Sequence, residues 1–398
     1  MDSASLMEQL HLEDQDGSFP ADATSSSEHE SFVTSQSSPD TAEQSGPMVE
    51  VRKTDTMGYG LFATQKIPRG TRVVSEKPIL QMHDPEYRAQ LIERFCTMLS
   101  QLSSEEIETL SQLYCNPKVF KEEDRDAILK WYNANSVTDA NGQELKGKKR
   151  QESRKKTLRR LGCFLTNCSG IVSDGKTGRG VFALFSRINH SCVPNARYGW
   201  NETIQRFTVH VSRDLAPDEQ VFISYLPLTY DSRATRAEQL EESWGFECAC
   251  VACSDPASEM ARVKMSVLQL LLTSYEQGNK EVPEIMQLEP LKNRGEALLI
   301  ADQLAKLLIS EGLVSMELVK IYRTCSQLSL WLDDLDEATE YAEKALDIEH
   351  CLIGPETEHL REGLVGCQYW LEKMQGPEGK PRGLKRRKRD MRRRLNSV

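Results

Sequence analysis

The sequence predicts an α+β fold: a strand-rich region split by one helical block and followed by another. Three observations carry that prediction. Short alternating apolar stretches punctuated by Gly and Pro, in MVEVRK (48–53) and GYGLFATQKIPRGTRVVSEKPIL (58–80), read as strands and turns, and strand character returns between residues 179 and 226. From about Pro85 to Leu161 the apolar spacing is helical instead, with Leu91, Phe95, Met98 and Leu102, then Ile128, Trp131 and Tyr132, on recurring faces. From Ala257 to about Gln375 the helical period takes over entirely.

The ends of the 398-residue chain differ from its middle. Residues 1–47 hold ten Asp or Glu, eleven Ser and no Lys or Arg, so the segment cannot bury enough apolar surface to offset its chain entropy and is expected to be disordered. Residues 380–398 carry ten Lys or Arg against Asp390 alone. That basic tail reads as a nuclear localisation signal or a nucleic-acid or chromatin contact, or else as a solvated end with no reader. No apolar run approaches the roughly 18 residues that span a bilayer, so no membrane partner is expected. Eleven cysteines without a secretory signal belong in a reducing compartment, the nucleus or the cytoplasm, as free thiols or metal ligands.

Between the tails, the elements follow in order. A first group of strands occupies residues 48–83. A helical insertion of about residues 84–161 ends in a strongly basic helix, KGKKRQESRKKTLRRL. The stretches GRGVFALF, RFTVHV and EQVFISYL are read as strands, and DSRATRAEQLEESWGF as a helix leading into a cysteine cluster. In the helical region 257–375, DEATEYAEKALDIEHCLIGPETEHL alternates small and large residues as a tetratricopeptide-type helix pair does. With one convincing copy, the region is read as helical-repeat-like.

The cysteine cluster is the sharpest local signal. Cys248, Cys250 and Cys253 form C-x-C-x-x-C, which gathers three thiolates in one tight turn. A structural zinc site takes four ligands, mostly Cys sulfur, in a tetrahedron, so one position is left for a distant residue. Cys192, in RINHSCVPNA (187–196), is the best candidate. The competing reading is a set of unrelated buried thiols, which three cysteines in six residues disfavour. A zinc contact at Cys192 would also turn Asn189 and His190 into groups mounted beside a rigid post.

Four stretches in order, GYGLFA (58–63), RINHSCVPNA (187–196), EQVFISYL (219–226) and CACVAC (248–253), resemble the motifs of SET-domain protein lysine methyltransferases. The split arrangement resembles the SET-and-MYND subfamily. The only Cys or His in residues 83–160 are His83, Cys96 and Cys115, so the double zinc finger of the MYND module cannot be built there. The resemblance implies a SET β-fold with a pseudoknot-like core, a post-SET zinc knuckle, and methyl transfer from S-adenosylmethionine to a lysine of a histone or other protein. It implies cofactor contacts at Gly58, Tyr59, Gly60, Asn167, Asn189, His190 and Phe246. Tyr225 would be catalytic and would form a lysine channel with Trp244 and Phe246. A Trp at position 244, where many relatives carry Tyr, leaves the number of methyl groups open. The expected cofactors are S-adenosylmethionine and Zn2+; the expected partner is a lysine-bearing protein, and the chain is expected to be a monomer. The alternative function is a catalytically weak scaffold that binds partners through its helical region.

Overall fold

The computed structural model describes residues 47–139, 141–173, 175–227, 230–278, 289–354 and 367–375. The acidic tail 1–46 and the basic tail 380–398 lie outside the described residues, as does the end of the helix-pair stretch beyond Gly354. The α+β expectation holds: among the described residues, two small sheets share one apolar core, the third packs Leu80, Met82 and Val181 against the helical insertion, and a C-terminal helical core and a cysteine-centred cluster complete the set.

The first strands form a hairpin. β1 (Val49–Lys53) pairs antiparallel with β2 (Tyr59–Ala63). Gly58 at φ +72° turns the chain between them, a left-handed conformation that a Cβ would strain. Thr54 closes the turn, its N–H donating to the Gly58 carbonyl at 2.6 Å. β2 in turn pairs with β10 (Gln220–Ile223), and β10 runs parallel to the two-residue β7 (Asn189–His190), giving the order β1-β2-β10-β7. Two distant stretches of chain are thereby laced together. Asn195, 1% exposed, does much of the lacing: its Oδ1 accepts from Phe222 N at 2.7 Å and its Nδ2 donates to the Gln220 carbonyl at 2.9 Å.

The second sheet orders β3 (Arg72–Glu76), β9 (Arg206–Val211) and β8 (Ala196–Asn201). The third orders β4 (Leu80–His83), β6 (Lys176–Val181) and β5 (Ser169–Ser173). β5 was not expected from the sequence; it is short, glycine-containing and held by its hairpin pairing to β6. The strand expected over GRGVFALF stops at Val181, and Phe185–Arg187 forms a 3-10 turn instead. The cause is Glu76, whose carboxylate accepts from Leu184 N at 3.0 Å and Phe185 N at 2.6 Å and so pulls the chain out of the sheet. Burial pushes that carboxyl above its usual range despite these donors.

The insertion contains α1 (Arg88–Leu99), α2 (Ser104–Ser111), α3 (Glu122–Ala134) and α4 (Gly147–Asn167). α1 buries Leu91, Ile92, Phe95, Cys96 and Leu99 on one face. α2 starts with a reciprocal Ser103–Glu106 capping box. α4 outruns the expected end near Leu161 and reaches Asn167, because Leu161, Gly162, Cys163, Phe164 and Thr166 are buried and keep its last turns on the core. Its basic first half faces outward. Arg88 clasps Asp124, which is fully buried, through two 2.7 Å contacts.

After α5 (Arg233–Ser243) and the short α6 (Val251–Ser254), the chain enters a set of packed helices. These are α7 (Pro256–Glu276), α8 (Arg294–Ser310), α9 (Met316–Trp331) and α10 (Leu335–Ile353), followed by α11 (Cys367–Gln375). Their shared core includes Leu268, Leu304, Leu318 and Tyr341. The helical region docks on the strand core through α10. Asp347 receives both terminal nitrogens of Arg69 (2.8 and 3.2 Å), and the Cys351 thiol donates to the Val211 carbonyl at 3.5 Å.

Replacing Arg88 by Met leaves the Asp124 carboxylate buried without its cation, and urea titration of the full chain is expected to show a loss of about 3 kcal/mol. An unchanged midpoint would mean that the pair contributes nothing to the insertion.

Candidate active site and metal centre

The cysteine centre is assembled by a sharp turn. α5 ends at Trp244, Gly245 at φ +74° reverses the chain, and Phe246 leads into Cys248 and Cys250. The first turn of α6 is closed by Cys253 N donating to the Cys250 carbonyl at 2.9 Å. Cys192 arrives from the loop just after β7 and is fully buried. The Sγ atoms of Cys192, Cys248, Cys250 and Cys253 all lie within 4.8 Å of one another, with Cys192 at 3.6 Å from Cys253 and 4.0 Å from Cys248. Disulfide sulfurs sit about 2 Å apart, so these spacings are not those of a disulfide. Sulfurs bound at about 2.3 Å around one tetrahedral zinc ion are about 3.8 Å apart, which the cluster matches.

The electrostatics lead the same way. Donation from Cys192 and its neighbours pulls the Cys250 thiol far below its usual range, while hydrogen bonding with Cys248 and burial push Cys192 far above it. Cys253 is lowered as well and Cys248 raised, so the cluster splits between thiolate and thiol; a divalent cation lets all four ionise. The donor set fits zinc.

His190 connects this centre to the strand that follows. Its Nδ1 accepts from Tyr225 N at 3.0 Å and its Nε2 lies 3.3 Å from the Cys192 sulfur. Burial pushes the imidazole down to about 4, so it is neutral near pH 7, and with Nδ1 accepting, the proton sits on Nε2 and points at sulfur. Both ring nitrogens are thus engaged inside the protein. Any cofactor contact at His190 falls to its main chain.

Asn189, by contrast, reaches the opposite wall, its Nδ2 donating to the Tyr59 carbonyl at 3.0 Å. A Cβ on Gly60 would stand 2.3 Å from Gln220 Nε2 and 3.1 Å from Asn189 Nδ2, so glycine is what lets hairpin and loop approach. Gln220 Nε2 is buried and has no protein partner, leaving one donor unused at this cradle. Tyr59 is 53% exposed, and the Arg187 guanidinium stacks over its ring at 5.3 Å. An open aromatic face, a glycine approach and an unused amide donor fit the nucleoside and amino-acid ends of S-adenosylmethionine.

Asn167 stands apart from that cradle. It is the last residue of α4, not a turn residue, and its Nδ2 donates to the carbonyls of Tyr114 and Cys163, each at 2.7 Å. Its link to the site runs through Tyr114, whose hydroxyl would lie 3.3 Å from a Cβ on Gly245, next to Phe246.

The remaining expected residues come together as an aromatic cluster. The Tyr225 ring lies 5.0 Å from Trp244 and 6.3 Å from Phe246, the latter edge-on at 85°, and His190 stands 5.4 Å from Tyr225 and 6.1 Å from Phe246. β10 ends at Ile223, so Tyr225 follows the strand rather than sitting in it as the sequence led us to expect. Its hydroxyl donates to the Ile188 carbonyl at 2.7 Å, and burial pushes it above its usual range, so it stays a neutral hydrogen-bonding group.

Sequence reasoning missed several neighbours. Asn195 was within the quoted loop, and a polar residue after Pro in such a loop was the signal available. Arg187 is the first residue of that motif, and nothing in its spacing marks it out. Tyr114 gave no signal, because an insertion residue comes to this wall only by helix packing.

A family model for the SET domain matches residues 58–226. Over 197 residues the chain is 29% identical to "Histone-lysine N-methyltransferase set5" of Schizosaccharomyces pombe, covering 50% of this chain and 47% of that protein. It is 24% identical over 194 residues to "N-lysine methyltransferase SMYD2-A" of Danio rerio, covering 45% of this chain and 43% of that one. An 86-residue stretch is 41% identical to "Protein-lysine N-trimethyltransferase SMYD5" of Homo sapiens, 21% of this chain and 20% of that one. The chain spans about half the length of the first of these relatives, and less of the others.

Replacing Cys250 by Ser is expected to release metal and weaken cofactor binding together, since one cluster holds Phe246 and, through Cys192, the Asn189–His190 loop. Metal analysis of the purified wild type and variant checks the first part and calorimetry the second. Zinc loss with unaltered cofactor affinity would separate the centre from the cradle.

Proposed function

We propose that this chain, built around a SET domain over residues 58–226, is an S-adenosylmethionine-dependent protein lysine methyltransferase. One observation carries the reading: the aromatic cluster of Tyr225, Trp244 and Phe246 stands against His190, which adjoins the Asn189–Gly60 cradle. An aromatic cluster suited to a lysine side chain thereby adjoins the residues that the reading assigns to the cofactor.

When bound, S-adenosylmethionine supplies an electrophilic sulfonium methyl group. The protein's part is to present a neutral amine to it. A free lysine has a pKa of about 10.4, and an aromatic, water-poor slot disfavours its charged form. Tyr225 does not take the proton, because its own hydroxyl is held neutral and donates to Ile188. The proton therefore leaves to solvent before transfer. Tyr225 Oη keeps lone pairs with which to accept an amine N–H and aim the nitrogen, and Trp244 and Phe246 bound the slot and attract the positive charge that develops there. Trp244 brings no hydroxyl, which leaves one fewer polar anchor in the slot than a tyrosine would give.

With this reading goes the substrate class, a protein lysine, on a histone or other protein. The helical region, whose residues 336–360 are read as a tetratricopeptide-type pair, is a surface for partner binding, and the basic tail directs the protein to the nucleus or to chromatin.

Tyr225→Phe keeps the ring and its packing but removes the aligning hydroxyl, so methyl transfer at saturating cofactor is expected to fall about 100-fold or more with little change in cofactor affinity. His190→Ala is expected to act in the opposite order, weakening cofactor binding first, because it removes the ring that anchors the Asn189–His190 loop between the Cys192 sulfur and Tyr225 N. Full turnover by Tyr225→Phe on a verified substrate would move the alignment to another group.

Removing residues 380–398 is expected to flatten the salt dependence of DNA or nucleosome binding, because fewer counterions are then released per complex. Titrations at several salt concentrations decide it. Identical slopes with and without the tail would leave it without a nucleic-acid role.

A further inference from the structure

α5 leads directly into Trp244 and Phe246, yet few of its own side chains hold it in place. Only Arg236 and Leu240 of its eleven residues are buried. The end of a helix also leaves its last carbonyls without intrahelical donors. Trp244 N and Gly245 N donate to the Leu240 carbonyl, and Gly245 N to that of Glu241, at 2.9–3.0 Å. The Glu242 carbonyl takes its donor from the insertion instead: Asn116 Nδ2, at 3.1 Å and 126 positions earlier in the chain.

Asn116 is itself locked. It is fully buried, its N–H donates to Thr166 Oγ1 at 3.0 Å, and its Oδ1 accepts from Lys118 N at 3.1 Å. Thr166 is tied in turn to α4, donating to the Gly162 carbonyl at 2.8 Å. Gly245 completes the clasp from the other side. Its φ is +74°, and a Cβ there would stand 3.0 Å from Asn116 Oδ1 and 3.3 Å from the Tyr114 hydroxyl. A buried amide stabilises many folds; the functional consequence here comes from where the clasped turn leads. Trp244 lies 5.0 Å from the Tyr225 ring, and Phe246 lies 6.3 Å from Tyr225 and 6.1 Å from His190.

We propose that Asn116 is a positioning residue of the lysine slot: through the Glu242 carbonyl and the Gly245 turn it fixes Trp244 and Phe246 against Tyr225, so that the insertion sets the width of the slot. A wall holds its geometry only when the residues behind it are locked by their own hydrogen bonds, as Asn116 is. Width matters chemically, because each methyl group added to the amine enlarges the head that the slot must admit. The assignment rests on reading Tyr225, Trp244 and Phe246 as that slot.

The test uses the full chain, labelled with 5-fluorotryptophan and followed by fluorine NMR. Its tryptophans are Trp131, Trp200, Trp244, Trp331 and Trp370, and the Trp244 line is assigned by its loss in Trp244→Phe. Asn116→Ala is expected to shift or broaden the Trp244 line and to leave those of Trp200, Trp331 and Trp370 in place. Methyl transfer is read on a heat-inactivated cell extract with tritiated S-adenosylmethionine, after hydrolysis and separation of mono-, di- and trimethyllysine. A misplacement of about 1 Å costs up to about 100-fold in rate, so total transfer by Asn116→Ala is expected to fall at least about 10-fold, with the S-adenosylhomocysteine Kd within about 3-fold of wild type. The ratio of mono- to more highly methylated lysine is expected to shift, and that ratio does not depend on how much folded enzyme is present. Lys118→Met, which breaks only the exposed pair with Glu241, is expected to change neither the line nor the ratio. An unmoved Trp244 line and ratio in folded Asn116→Ala would overturn the assignment. Equal displacement of all the tryptophan lines, or a ratio moved as far by Lys118→Met, would overturn it too. If Asn116→Ala does not fold, Asn116→Asp, which keeps the volume and the acceptor for Lys118 N but not the donor to Glu242, decides by the same readouts. A wild type that neither binds S-adenosylhomocysteine nor methylates any extract protein would overturn the slot reading itself, a result distinct from an active wild type with unmoved variants.

Discussion

Cys192 is the residue on which the geometry of this molecule converges. Its sulfur joins the cluster of Cys248, Cys250 and Cys253, its side chain meets His190 Nε2 at 3.3 Å, and its carbonyl is held by Arg262 from the helical region. A loop between strands would ordinarily be among the least fixed parts of a fold. Here three separate parts of the chain hold it from three sides. The consequence reaches the site through one imidazole, because His190 passes the constraint to the Tyr225 backbone at 3.0 Å.

The second constraint is the lacing of residues 189–195 to 220–225. Asn195 provides side-chain donor and acceptor to the backbone of β10, and β7 adds parallel pairing, so a long-range crossing is held by ordinary hydrogen bonds at 2.7–3.1 Å. Such a buried amide is worthwhile only if every bond is made, since an unpaired one costs about 1–3 kcal/mol. The same crossing brings Gly60, Gln220 and Asn189 into contact range and leaves the Gln220 amide with a donor to spare. Rigidity around that spare donor is what a preorganised binding site requires.

These constraints divide the labour between the helical and strand regions. The insertion contributes Tyr114, Asn167 and the Gln112 carbonyl near Arg187, all on the rim rather than in the crossing. The C-terminal helices contribute Arg262 at the centre and the Arg69–Asp347 and Cys351–Val211 contacts farther away. Exposed pairs such as Arg69–Asp347 add little energy, about 0–1 kcal/mol, and serve to set the orientation of two already folded regions.

Short-range chemistry is what the sequence determined by itself. The spacing of Cys248, Cys250 and Cys253, the glycine turn at Gly58, the helical period of α1 and the capping box of α2 are local patterns, and local patterns are written in neighbouring residues. The order of the motifs around Asn189, His190 and Tyr225 added the site, because residues separated along the chain carried recognisable neighbours. Tertiary structure alone decided the rest. The strand after Arg179 stops at Val181 because Glu76, more than a hundred residues earlier, captures two backbone N–H groups, and α4 runs on to Asn167 because the core covers its last turns. Arg236 and Arg262 look in the sequence like any other charged positions on amphipathic helices. Only the folded chain, by packing them against a thiol and a carbonyl with Glu259 and Glu311 alongside and excluding water, turns them from solvated surface charges into buried ones.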